Sequence, residues 1–263
     1  MTTPLDDIAF LANSENRVTV LDALATTPRT RQDLLEELDV SRVTLARILR
    51  DCKARHWVEQ KDEAYTVTPL GEWIYDEITD VLDVLETEHQ LREVLPWFPI
   101  DDVDFEIEWL RDAEVVRPTE SDPTTPIRRA AVQLRGGTSV RVLTMQVVAS
   151  FFDIVGEPLV QGEMAFEAVA TPRVYETITN DSRMAVAFRE LANAEDVTFF
   201  VTDDVPFVLH VVDDSVLIGL VDDDGTPRAA IESADETIHA WAIDLFETYV
   251  RRAEPVTREA ITA

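Results

Sequence analysis

SRVTLARILRDCKARHWVEQKDEAYTVTPLG, residues 41–71, carries two periodicities in succession. Ser41 is placed to cap a helix, and Leu45, Ile48, Leu49 and Cys52 then recur at i, i+3, i+4 and i+7, one narrow buried stripe. At about 100° per residue, Val43, Ala46, Arg47 and Arg50 fall between roughly 100° and 200° from Leu45, opposite that stripe. After Trp57 the period changes. Val58–Thr68 alternates polar and apolar around Lys61-Asp62-Glu63, the pattern of a hairpin.

Upstream, Asn16–Ala25 offers Val18, Leu21 and Leu24 at helical spacing, stopped by Pro28. Thr30 with Asp33 reads as an N-cap pair opening a second helix, Arg31–Leu38, and Asp39-Val40 turns into the third. Three short helices followed by a hairpin make a winged helix-turn-helix over residues 1–68. Its charge fits an anionic partner. The segment holds nine basic and twelve acidic residues, but Ser41–Arg55 has five basic residues against Asp51 alone.

Residues 41–71 resemble the recognition helix and wing of archaeal and bacterial regulators. The features carrying the resemblance are Ser41-Arg42-Val43-Thr44, Arg47, Trp57 and the exit Thr68-Pro69-Leu70-Gly71. The expected partner is double-stranded DNA, with the third helix in the major groove. There Arg47 would reach a base edge, since guanidinium pairs well with guanine O6 and N7. Arg42 and Arg50 would hold phosphates, Thr44 could do either, and Val43 and Ala46 could meet thymine methyls. Arg31 and Lys61 are further phosphate contacts, and Ser41 completes the set. The alternative is a winged helix used only as a protein-docking module.

The whole chain points another way in charge. Its 263 residues carry 52 acidic and 23 basic side chains, a formal charge of −29. Only Lys53 and Lys61 are lysines. The carboxylates are scattered, which argues for a folded protein with an acidic surface and against a disordered tail. Such lysine-poor, acid-rich composition resembles that of salt-loving archaea, where about 1 M salt screens self-repulsion within about 3 Å. Neither a membrane span nor a leader pattern is evident, so a cytoplasmic location is expected. Cys52 is the single cysteine, which excludes an internal disulfide and a multi-cysteine zinc site.

Residues 69–99 read as a connector and dimerisation helix. Ile74, Ile78, Val81 and Leu85 step by 4, 3 and 4, a coiled-coil-like seam for a homodimer, and Pro96 and Pro99 break it. Residues 100–263 alternate between helices and short strands, so the expected class is α+β with a C-terminal mixed α/β domain. Helices are expected at Ile127–Leu134, Pro172–Thr179, Met184–Ala194 and Thr237–Arg251. Strands are expected at Val140–Val148, Glu163–Ala170, Val197–Val201, Phe207–Val212, Val216–Val221 and Arg228–Ile231.

LRDAEVVRPTESDPTTPIRRAA at 110–131 and VPFVLHVVDDSVLIGLVDDDGTPRAAIES at 205–233 resemble the C-terminal domain of FilR1-type methanogenesis regulators. The resemblance implies a regulatory or ligand-sensing domain without catalysis. Arg128 and Arg129 are the candidates for holding an anionic effector; a purely dimerising domain is the alternative.

An enzyme is the remaining class. No lysine follows Lys61, so the larger domain has neither a Schiff-base nor a P-loop lysine. His210 is faintly similar to a phosphodiesterase histidine, but Val212 stands where that chemistry needs lysine, and a core histidine is expected. The four histidines show no metal-ligand spacing. Asp222-Asp223-Asp224-Gly225 fails the calcium-loop register, which would put ligands at Leu220 and Ile231. No catalytic residue, metal or cofactor is expected.

Overall fold

The computed structural model describes residues 3–257. By its contacts the chain divides into two compact units, residues 1–85 and 86–263.

In the first unit, α1 (Pro4–Ala12) and α2 (Glu15–Thr26) precede β1 (Arg29–Thr30), α3 (Arg31–Glu37), α4 (Arg42–Ala54), β2 (Val58–Lys61), β3 (Ala64–Val67) and α5 (Pro69–Leu91). The caps read from sequence are made. Thr30 and Asp33 form a reciprocal capping box on α3, and Ser41 Oγ accepts from Thr44 N on α4. Leu45, Ile48, Leu49 and Cys52 are buried, together with Val20, Leu21, Leu24, Leu34 and Trp57. Burial pushes the Cys52 thiol up to about 12, leaving it a small apolar core residue. The hairpin pairs Lys61 with Ala64, and Asp62 takes the left-handed φ of 54° that the tight turn requires. Strand β1 was not expected. It pairs with β3 to complete a sheet of order β1-β3-β2.

Helix α1 was also not expected. It is held by a Thr3–Asp6 capping box and by Arg55, which bonds Asp7 at 2.8 Å while stacking over Phe10 at 4.0 Å. The start of α5 is fixed differently. A Cβ built on Gly71 would lie 1.9 Å from the carbonyl oxygen of Trp57, so only glycine lets the helix approach. Gly71→Ala should therefore force backbone apart and cost about 3 kcal/mol or more, beyond ordinary overpacking. A fall in the urea midpoint of the full chain checks this; an unchanged midpoint contradicts the contact.

The second unit begins inside α5, ahead of the prolines at 96 and 99. Leu91, Val94 and Phe98 are buried in the same core as Phe105, Leu110 and Phe207, which is why the division precedes residue 100. Short 3-10 turns at Leu95–Trp97, Ile100–Asp102 and Ile107–Asp112 lead to β4 (Glu114–Val116) and α6 (Thr125–Leu134). Then follow β5 (Ser139–Thr144), α7 (Ala149–Val160), β6 (Ala165–Ala170), α8 (Pro172–Asn180), α9 (Ser182–Leu191) and β7 (Val197–Val201). A meander of β8 (Val208–Val212), β9 (Ser215–Val221) and β10 (Pro227–Ser233) precedes α10 (Glu236–Arg252) and β11 (Glu254–Pro255).

The eight strands form one mixed sheet, β11-β7-β6-β5-β8-β9-β10-β4. Strands β5, β6 and β7 are parallel neighbours and the other pairs are antiparallel. Two-residue alternation sorts the side chains into two cores. Leu143, Val169, Leu209, Val211, Ile218 and Ile231 pack with Ile238, Ala242 and Phe246 of α10 on one face. Val140, Val142, Phe166, Ala168 and Phe199 pack with α7, α8 and α9 on the other.

Two expectations need correction here. The strand expected at Val140–Val148 stops at Thr144, whose hydroxyl accepts from Gln146 N and donates to Gln146 O, turning the chain. Helix α7 was missed altogether. It has no side-chain N-cap bond and contains Gly156 and Pro158, yet Phe152, Val155 and Leu159 are buried on one face. Packing overrides its local propensity.

Candidate nucleic-acid interface and a buried cavity

The nine basic side chains of residues 1–68 divide sharply in how they are engaged. Arg17 stacks on Phe10 at 4.2 Å and bonds its carbonyl. Arg29 pairs with Glu37 at 3.5 Å, and Arg31 donates to the Tyr65 hydroxyl at 3.2 Å. Arg50 is 2.9 Å from Asp51, Lys53 is 3.1 Å from Gln60, and Lys61 is 2.6 Å from Glu59. Arg55 belongs to the α1 contact already described. Arg42 and Arg47 have no hydrogen bond or ion pair among the described residues, and both are exposed.

Both lie on α4, Arg42 at its first residue and Arg47 on the face opposite its buried stripe. Val43 beside them is 81% exposed, a large apolar side chain with nothing to cover it. Thr44 and Ala46 are half-buried on the same helix. Ser41 is committed to capping, with its Oγ 3.1 Å from Thr44 N and 2.9 Å from Thr44 Oγ1. The arrangement is an uncompensated cationic and apolar surface on one helix of an acidic protein. Of the expected basic contacts, Arg31, Arg50 and Lys61 already have partners on their own chain.

The seam expected on α5 is altered by the packing. Ile74 and Ile78 are half-buried against the core of their own unit. Val81 is 52% and Leu85 47% exposed, and Trp73 and Val84 are exposed as well. The pattern-based reading found the helix but could not tell which apolar positions its own unit would take.

In the second unit the two arginines singled out for an anion are engaged by carboxylates. Arg128 pairs with Asp122, and Arg129 pairs with Glu232 and Glu114. The acidic run at 222–225 is a hairpin turn. The Asp222 carboxylate accepts from Thr226 N and Asp224 N and pairs with Arg228, which holds its pKa below the ordinary range. Among the described residues, no group of three or more His, Cys, Asp or Glu side chains is placed to share a metal ion. No described helix is long and apolar enough to cross a membrane.

On the sheet face beneath α6 and α7 lies a cavity of about 160 Å³. Ile127, Ala130, Ala131 and Leu134, the i, i+3, i+4, i+7 face of α6, form one wall, and Val142, Phe166 and Leu217 belong to its floor. His210 stands in this floor on β8, paired across the sheet with Val142 on β5 and Leu217 on β9. It is the core histidine expected from sequence, but its Nδ1 is buried without a hydrogen-bond partner. Val212, two residues on, is buried and apolar.

Burial holds the His210 imidazole down at about 4, from an ordinary 6.5. The folded protein therefore keeps it neutral where the unfolded chain takes up a proton. Stability from this residue is present above pH about 6.5 and is lost as pH falls toward 4, by on the order of 3 kcal/mol. Carboxylates titrate in the same window, so the measurement is the difference between wild type and His210→Leu in denaturant unfolding from pH 8 to 4. With its buried Nδ1 unpartnered, wild type should be no more stable than His210→Leu at pH 8, and on acidification it should fall further below the variant by up to that amount. Parallel curves would show that the imidazole is not desolvated.

Among solved structures, TrmBL2, an archaeal chromatin protein, is 15% identical with a TM-score of 0.44, over 91% of this chain and 92% of that one. Nuc, a phospholipase D family member from Salmonella typhimurium, is 11% identical with a TM-score of 0.41, over 55% of this chain and 97% of its own. NucT from Helicobacter pylori is 7% identical with a TM-score of 0.44, over 55% and 99%. No curated protein matches the chain. Two family models do, in series: the HVO_A0261 N-terminal domain over residues 5–90, and the middle domain of the methanogenesis regulatory protein FilR1 over residues 123–252. The chain is thus similar to an HVO_A0261 N-terminal domain over residues 5–90 and to a FilR1 middle domain over residues 123–252.

Proposed function

We propose that the chain is a sequence-specific DNA-binding transcriptional regulator, homodimeric, whose second unit senses a small molecule. The observation that carries this is the pair Arg42 and Arg47, the cations of residues 1–68 left without a partner, both exposed on α4, with Arg47 beside the exposed Val43. A groove-reading helix needs free donors for phosphates and base edges, together with apolar surface for thymine methyls. The FilR1 domain supports the regulatory role, since it is described as part of a regulatory protein.

An excess of 52 acidic over 23 basic residues supports a working environment of concentrated salt. There the gain from releasing counterions is weak, so base-edge and shape contacts supply more of the affinity. Selection of duplexes from a random library by the full chain in concentrated potassium chloride tests the reading. The expected product is a palindromic motif with half-sites about one helical turn apart. Recovery of no enriched sequence at any salt concentration that keeps the protein folded would overturn it.

A further inference from the structure

We propose that the cavity beneath α6 and α7 is a binding site for an uncharged, predominantly apolar small molecule bearing one hydroxyl, carbonyl or amide, which hydrogen-bonds His210. Binding stands on the cavity itself; only the consequence of binding rests on the sensing role proposed above.

The first argument is charge. In a chain of −29, none of the cavity's lining side chains is ionised. The arginines nearest in sequence to its α6 wall, Arg128 and Arg129, are neutralised by Asp122, Glu114 and Glu232. No cation lines the cavity to hold an anion, and no carboxylate lines it to hold a cation. A charged ligand entering it would lose its hydration without compensation.

The second argument is the unpartnered imidazole. A buried polar atom left without a hydrogen bond costs stability, and native interiors rarely keep one. Three other polar groups around the cavity are engaged, and Ser150 lies at the exposed rim: Tyr175 donates to Phe200 O at 3.0 Å, and Gln146 bonds Gly225 O. Thr144 bonds Gln146 O at 2.7 Å. Of Tyr175, Gln146, Thr144 and His210, only His210 is buried, and its Nδ1 has no partner; a neutral imidazole can either donate or accept. One polar anchor in an apolar chamber is the usual composition of a small-molecule site.

The third argument is size and access. A dry apolar cavity of comparable volume, about 150 Å³, accepts benzene. Alanines at 130 and 131 leave that space on the α6 side, where larger residues would fill it. Val148 and Ser150, which also line the cavity, are exposed and mark its opening.

The test uses 2-naphthol, naphthalene and 2-naphthoate with the full chain in concentrated potassium chloride, measuring binding by the ligands' fluorescence. Wild type should bind 2-naphthol and should bind naphthoate at least tenfold more weakly. His210→Leu should weaken 2-naphthol about tenfold, the worth of one hydrogen bond, while leaving naphthalene unchanged. Ala130→Phe, which fills the chamber, should abolish binding of both. Ala131→Phe serves where Ala130→Phe does not fold, as judged by circular dichroism. Naphthoate binding as well as naphthol, or cavity-filled variants binding like wild type, would overturn the site. Duplex affinity measured with and without 2-naphthol separates the claims: binding without any change in affinity leaves the site standing and removes the sensing role.

Discussion

Replacing Arg47 with alanine should raise the dissociation constant for the selected duplex by about 5- to 150-fold, the 1–3 kcal/mol of one bidentate base contact, and flatten preference at one base pair. Arg42→Ala should weaken all duplexes alike and lower the slope of affinity against salt by about one counterion. Both side chains are exposed and without partners in the fold, so neither change should move the unfolding midpoint. Loss of binding then reports loss of a contact. Arg50 offers a graded comparison on the same helix. It must leave Asp51, 2.9 Å away, to reach a phosphate, so Arg50→Ala should cost less than Arg42→Ala. Fluorescence anisotropy with selected and scrambled duplexes separates the three. A double variant, Arg42→Ala with Arg47→Ala, that keeps wild-type affinity and preference would remove α4 from the interface.

Most of the fold was legible because its signals are local. The Thr30–Asp33 box, the Ser41 cap and the stripe from Leu45 to Cys52 depend on spacing within one helix, and each forms as read. The alternating apolar runs of β8, β9 and β10 are equally self-contained. Helix α7 shows the limit. Its glycine and proline argue against a helix, and what overrides them is burial of Phe152, Val155 and Leu159, distant information. Helix α1 carries a local start signal in Thr3, Pro4 and Asp6, but its nine residues lack a strong apolar period to follow it.

The candidate sites divide in the same way. Sequence placed Arg47 on the outer face of α4, because helical angle is a local property, whereas Arg42 falls beside the stripe and is free because it opens the helix. It could not show that Arg31, Arg50 and Lys61 are engaged by Tyr65, Asp51 and Glu59, since pairing depends on tertiary neighbours or on rotamer choice. For Arg129 the relevant partner, Glu232, lies 103 residues away. The cavity around His210 was invisible for a related reason. A void is defined by what many elements together fail to fill, and no single stretch of chain records that.

The same distinction fixes what to expect of α5. Taking Trp73 as zero and about 100° per residue, Leu70, Val81, Val84 and Leu85 fall within about 120° of it, one exposed apolar face on a 23-residue helix. Ile74 and Ile78, at about 100° and 140°, lie on the Leu85 side of that face, where the unit's own core takes them. In the homodimer proposed above, a second copy would cover this face: a two-fold axis would pair the same stripe with itself and present two α4 helices to successive major grooves, about 34 Å apart. Val81→Asp with Leu85→Asp should therefore halve the sedimenting mass while leaving the unfolding midpoint nearly unchanged. It should weaken binding to a palindromic duplex by roughly 100-fold or more, since the second half-site is no longer engaged within one complex. Ile74→Asp with Ile78→Asp should instead lower the unfolding midpoint, since it places charge against the core of the unit itself. A Val81→Asp/Leu85→Asp protein that still sediments as a dimer would place the interface elsewhere in the chain, and the half-site spacing would then no longer follow from α5.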